Sequence, residues 1–206
     1  MTQSIRRFLA PTVPVFTAGS LSLCPTVVFA HDAFGELGPF YSSLLHPLID
    51  PMQAALLIGT MAFLAGRTLA FTRIAFPAFV LMSCLSALAM ASDTAPLLPA
   101  VAGPFAVLFV GLAATMPRAV RPRLAAFALV AACGALAGVI PDEPGAGNGF
   151  QWYAGTVSGI AGLGLLAWFA LEAISRHLFP VAPKVAGSWV AAVGVLVTAF
   201  SLWGGA

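Results

Sequence analysis

Tyr153-Ala-Gly-Thr-Val-Ser-Gly-Ile-Ala-Gly-Leu-Gly-Leu-Leu-Ala-Trp-Phe-Ala-Leu-Glu-Ala-Ile-Ser175 holds one charged side chain, Glu172, in 23 residues. A run of about 20 apolar residues is what a helix needs to cross the hydrocarbon core of a bilayer. This run is apolar all round and lacks the polar stripe that a surface helix turns to water, so its surroundings are lipid and other helices. Comparable runs on either side predict helices near 48–66, 74–92, 96–116, 124–141, 153–175 and 186–203. The expected fold is all-α, a polytopic membrane bundle of about six transmembrane helices. The bundle is expected to occupy residues 48–206, behind a cleavable signal peptide at 1–30 and a short periplasmic segment at 31–47.

Composition agrees. The 206 residues are 60% hydrophobic and 8% charged, whereas a soluble domain is roughly 25% charged. Six crossings with tight loops use up the chain beyond residue 30, and no room remains for a soluble domain. The formal net charge of +2 is too small for the basic stripe of a nucleic-acid-binding face. There is no nucleotide-binding loop, no Ser/His/Asp set and no hydrolase-like carboxylate pair, so the chain is not read as an enzyme. Cys24, Cys84 and Cys133 fall in separate apolar segments without CxxC spacing, and are expected to act as small apolar packers.

The first residues carry Arg6 and Arg7, then an apolar stretch, then Pro25-Thr-Val-Val28-Phe29-Ala30 ahead of His31. Small residues at 28 and 30 fit a signal-peptide cleavage site, which would make His31 the first mature residue; a retained anchor is the alternative. Basic residues stay on the cytoplasmic side during insertion. Arg67 and Arg73, then Arg118, Arg121 and Arg123, then Arg176 and Lys184 occupy alternate loops, while Asp93 and Asp142-Glu143 occupy the others. The expected location is a bacterial inner membrane, with both mature termini periplasmic. Close helix contacts are expected at Gly134-x-x-x-Gly138 and Gly155-x-x-x-Gly159, because small residues let backbones approach where lipid supplies no hydrophobic drive. Glu172 and Arg176 are expected to pair at i, i+4 near an interface.

Ionisable groups at membrane depth are costly and therefore mark function. The densest collection, His31, Asp32, Glu36, His46, Asp50, Met52 and Gln53, leads into the first predicted helix. Imidazole, carboxylate and thioether are all metal-ligand types. On one continuous helix, His46 and Asp50 would share a face, as would Asp50 and Gln53. The competing reading is structural: His46-Pro47 opens the helix and Asp50 interacts with the positive end of its dipole. His31, as a new N-terminus, offers an amino group and an imidazole together. The candidate metal residues are therefore His46, Asp50, Met52, Gln53 and His31.

The signal ending in Ala-His, the Gly-containing linker and the Leu-Leu-His-Pro-Leu opening of the first helix resemble the HupE/UreJ family of small nickel permeases. The family opens this helix with His-Pro-Leu-x-x-x-Asp-His and an apolar run with a glycine. Here the stretch reads His46-Pro47-Leu48-Ile49-Asp50-Pro51-Met52-Gln53, then Ala54-Ala-Leu-Leu-Ile-Gly59. Gly149-Phe-Gln-Trp-Tyr153-Ala-Gly155 and the small-residue helices after it look like the family's C-terminal half. Met52 and Gln53 stand where the family has Asp and His, and Pro141-Asp-Glu-Pro-Gly-Ala-Gly-Asn148 holds no histidine where the family has a His-rich loop.

The resemblance implies a transition-metal permease, for nickel or a related ion, with the ion as cargo and no resident cofactor. The alternatives are a non-transporting accessory or structural subunit on the same scaffold, and a pore for a small neutral solute. The expected partners are the lipid bilayer and a metal ion, with no nucleic acid; self-association is left open.

Overall fold

A computed structural model describes residues 38–91, 101–117, 123–139 and 149–203. The expected signal peptide, His31, and the acidic loop residues Asp93, Asp142 and Glu143 lie outside the described residues. Every described element is helical: α1 (Gly38–Ile49), α2 (Pro51–Ala65), α3 (Leu69–Ala91), α4 (Ala102–Thr115), α5 (Arg123–Val139), α6 (Gly149–His177) and α7 (Ala182–Trp203). By length and composition α3, α6 and α7 can each cross a bilayer, and α1 with α2 would make a fourth span, bent by 70°. The apolar helices α4 and α5, of 14 and 17 residues, are shorter. Six apolar helical units thus stand where six spans were expected, and three or four meet the length of a full crossing.

The first predicted helix differs most from expectation. A single helix over 48–66 is replaced by two, and the earlier one begins at Gly38, inside the stretch read as a short periplasmic segment. Gly38 opens α1 with a φ of 81°, a left-handed backbone that glycine adopts without a Cβ penalty. The break at Asp50 is local chemistry. Pro51 has no N–H for the Pro47 carbonyl one turn back, and its ring pushes the preceding residue out of the helical region. Asp50 accordingly sits at φ −77° and ψ 111°, and its carboxylate accepts the Met52 N–H at 2.8 Å, capping α2 with Pro51 in the first turn. Capping of this kind is what Asp does best at a helix start.

The short helix α2 is the axis of the bundle, packing against all six other helices. From Ala55 to Ala65 only Ile58 is exposed. Around it the most extensive packing joins three helix pairs, α4 with α7, α3 with α5 and α1 with α6, and each pair closes on glycine. A Cβ at Gly134 would collide with the Phe79 backbone and one at Gly138 with Ser83, which binds α5 to α3. A Cβ at Gly155 would meet Phe40 and Ser43, and one at Gly159 would meet Leu44, which binds α6 to α1. Both spacings anticipated from sequence are therefore helix contacts. The third pair uses Gly111 against Ala191 and Gly187, and Gly194 against Leu108. Ser83 adds an interhelical hydrogen bond to the Gly134 carbonyl at 2.9 Å while also bonding Phe79 at 3.0 Å in its own helix. Bonds of this kind in membranes are worth about 0.6 kcal/mol each, so backbone proximity carries most of the pairing. Cys133 is buried in the core and, like Cys84, is a free thiol.

Candidate metal-binding site at the helix break

Four of the five candidate metal residues, His46, Asp50, Met52 and Gln53, lie at the α1–α2 break, but not as one helical face. His46 lies in the last turn of α1, Asp50 in the gap, and Met52 and Gln53 in the first turn of α2. The Asp50 N–H still donates to the His46 carbonyl at 3.0 Å, so α1 holds its helical path up to the break. The carboxylate then turns to α2 as its cap. The dipole role weighed for Asp50 thus takes a concrete form, at the start of α2 instead of the start of a helix at His46.

The 70° bend brings His46 and Gln53, seven residues apart, into contact: His46 Nδ1 and Gln53 Oε1 are 3.0 Å apart. The other end of the same amide reaches α5, where Gln53 Nε2 donates to the Ala137 carbonyl at 2.9 Å. Gln53 is 1% exposed, and both of its polar atoms are engaged. Burial without those bonds would cost several kcal/mol in an apolar setting. The Met52 side chain reaches towards α4, its methyl lying 3.4 Å from the position a Cβ would take on Gly103. Asp50, His46 and Met52 are partly exposed.

Among the described residues no group of three or more His, Cys, Asp or Glu side chains is placed to hold a metal ion. The break contributes one imidazole, one carboxylate and one thioether. His31 lies outside the described residues. The sequence could not reveal the Ala137 carbonyl, since a backbone acceptor leaves no residue-type signature, nor the contact of His46 with Gln53, which exists only because the helix bends.

At the opposite end of α2 a cavity of about 390 Å³ lies among the ends of α2, α4 and α6 and the start of α7. Its lining includes Gly66, Met116, Ser175 and Lys184, with no carboxylate or imidazole. An ammonium with no carboxylate beside it among the described residues does not suit a cation. The nearby basic residues are tied locally: Arg67 lies over the rings of Phe63 and Phe71 at 4.8 and 5.4 Å. Arg176 pairs with Glu172 at 2.6 Å, the i, i+4 contact expected from sequence.

No curated protein and no solved structure matches the chain. The HupE / UreJ protein family does match, over residues 20–197, a span that takes in the helix break, all three glycine-closed pairs and most of α7, and the chain belongs to that family.

Proposed function

We propose that this protein is an inner-membrane permease for a transition-metal ion, which it receives at the α1–α2 break. One observation carries the reading. An otherwise apolar bundle interrupts a helix at Asp50-Pro51, and the interruption gathers His46, Asp50 and Met52. Interrupted helices line the substrate sites of many transporters, and ionisable groups at membrane depth are retained for ions or protons. Family membership supports a metal-linked membrane role. In this reading His46 supplies the imidazole, Asp50 the charge and Met52 a soft ligand, with His31 at the mature N-terminus as a further donor. Gln53 remains in the ligand neighbourhood. A thioether where the family has a carboxylate weakens the site for nickel and favours softer ions such as Cu(I).

A second reading is a membrane accessory subunit that keeps the scaffold without transport. It is favoured by the absence of a three-ligand cluster among the described residues. Metal accumulation separates the two. Cells expressing the wild type should exceed empty-vector cells for nickel, cobalt or copper, and His46→Ala should return them to background. If the wild type exceeds the vector for none of these metals, the accessory reading replaces the permease.

A further inference from the structure

We propose that the cavity among the ends of α2, α4 and α6 and the start of α7 binds a phosphate group, carried by a lipid headgroup or free in solution, with Lys184 as its counter-charge. The cavity measures about 390 Å³, inside the range of about 300–1,000 Å³ usual for small-molecule sites. Lys184 belongs to its lining, is exposed, and forms no ion pair with a described residue. Glu172, the carboxylate three residues before the lining residue Ser175, is held by Arg176. Most of the remaining wall is apolar: Ala65, Ala114, Met116, Pro117, Pro180 and Pro183. A phospholipid presents the matching pair, phosphate for the ammonium, and glycerol with its first methylenes for the walls. Basic pockets between membrane helices take phospholipid headgroups in this way. The proposal does not depend on what crosses the bundle.

The helix ends decide which group carries the attraction. Three helices finish at the cavity, and bare terminal carbonyls would repel an anion. Several of them are already engaged. Gly66 and Arg67 N–H groups donate to the Ala62 and Leu64 carbonyls at 3.1 and 2.9 Å, the Thr115 hydroxyl to Leu112 at 2.7 Å, and the Ser175 hydroxyl to Glu172 at 3.1 Å. At the start of α7 the donors are spent as well. Ala182 donates to Phe179 and Lys184 to Val181, each at 2.9 Å, and Pro183 has no N–H to give. The backbone therefore offers an anion little, and the Lys184 side chain supplies the charge. Arg67, next to the lining residue Gly66, adds to the positive field while its guanidinium lies over Phe63 and Phe71.

The test uses the full-length protein in detergent, titrated with phosphatidylglycerol, phosphatidylcholine or inorganic phosphate and read by native mass spectrometry and calorimetry. The wild type should retain phosphatidylglycerol in preference to phosphatidylcholine. Lys184→Gln should weaken that retention by about fivefold or more, and should melt with the wild type because Lys184 is exposed. Arg73→Gln removes the same charge from the first turns of α3, outside the cavity lining, and should leave retention near the wild-type value. Saturable binding of inorganic phosphate that is lost in Lys184→Gln, with neither lipid preferred, assigns the site to free phosphate. Preference for phosphatidylglycerol without phosphate binding assigns it to a headgroup. Equal retention of the two lipids with no phosphate binding overturns the proposal, as does a Lys184→Gln variant that binds as the wild type does. Equal losses in Lys184→Gln and Arg73→Gln also overturn it, since the general field of the basic end would then be the cause.

Discussion

Asp50 has two candidate duties, and one substitution can divide them. As the N-cap of α2 it needs only an oxygen that accepts the Met52 N–H at 2.8 Å. As a lure for a cation it needs negative charge. Asn keeps the acceptor and removes the charge, whereas Ala removes both. Asp50→Ala should destabilise the protein by about 1 kcal/mol, the usual cost of a lost cap, and should lower metal accumulation. Asp50→Asn should melt within a degree or two of the wild type and still accumulate less metal. Thermal melting in detergent alongside cellular metal content checks both halves. An Asn variant with full accumulation would leave Asp50 with the cap alone. Ser83 offers a contrasting case in which no ion is involved. Its hydroxyl shares one proton between the Phe79 and Gly134 carbonyls, and the second contact joins α3 to α5.

At the scale of helices, glycine decides which faces meet. Gly159 and Gly162 lie on the same helix three residues apart, yet a Cβ at Gly159 would strike Leu44 of α1 and one at Gly162 would meet nothing within 4 Å. Gly159→Ala should therefore destabilise by about 1–3 kcal/mol through overpacking. Gly162→Ala should be neutral or stabilising by up to about 1 kcal/mol, since Ala is the better helix former. Equal losses from the two substitutions in a thermal or denaturant melt would contradict the close approach of α1 to α6. The stripes at Gly134/Gly138 and Gly155/Gly159 were legible because one short spacing on one helix carries the information. The α4–α7 contact was not, because Gly111 is eight residues from Gly103, the other glycine of α4, and Gly187 and Gly194 are seven apart; the pattern exists only once the helices are side by side. The break was hidden for another reason. Apolar character runs straight through Leu48 to Gly66, and hydropathy does not register a change of direction. Asp50-Pro51 did carry the signal of a helix start, but that signal points to a boundary only when weighed against the continuous apolar run.

For the molecule as a whole, the ends of α2, α4 and α6 and the start of α7 converge on one cavity. The break lies at the other end of α2, beside the first turn of α4 and the last turn of α5. The described basic residues Arg67, Arg73, Arg123, Arg176 and Lys184 belong to the helix ends and connections on the cavity side. Basic loops are held back in the cytoplasm during insertion, so the cavity side is predicted to be cytoplasmic and the break to open towards the periplasm. A single orientation then accounts for the charge pattern and for the position of the proposed ligands. An ion arriving from outside would meet His46, Asp50 and Met52 first, and the tightly buried length of α2 separates them from the basic end. Engineered cysteines test this orientation. Ala70→Cys, Val120→Cys and Pro180→Cys should be shielded from a membrane-impermeant thiol reagent in intact cells and become reactive once the cells are opened. Asp93→Cys and Gly145→Cys should react in intact cells. The reverse pattern would put the basic end outside, against the charge rule, and would turn the imidazole and carboxylate of the break towards the cytoplasm, where they would serve release or delivery of an ion instead of its capture.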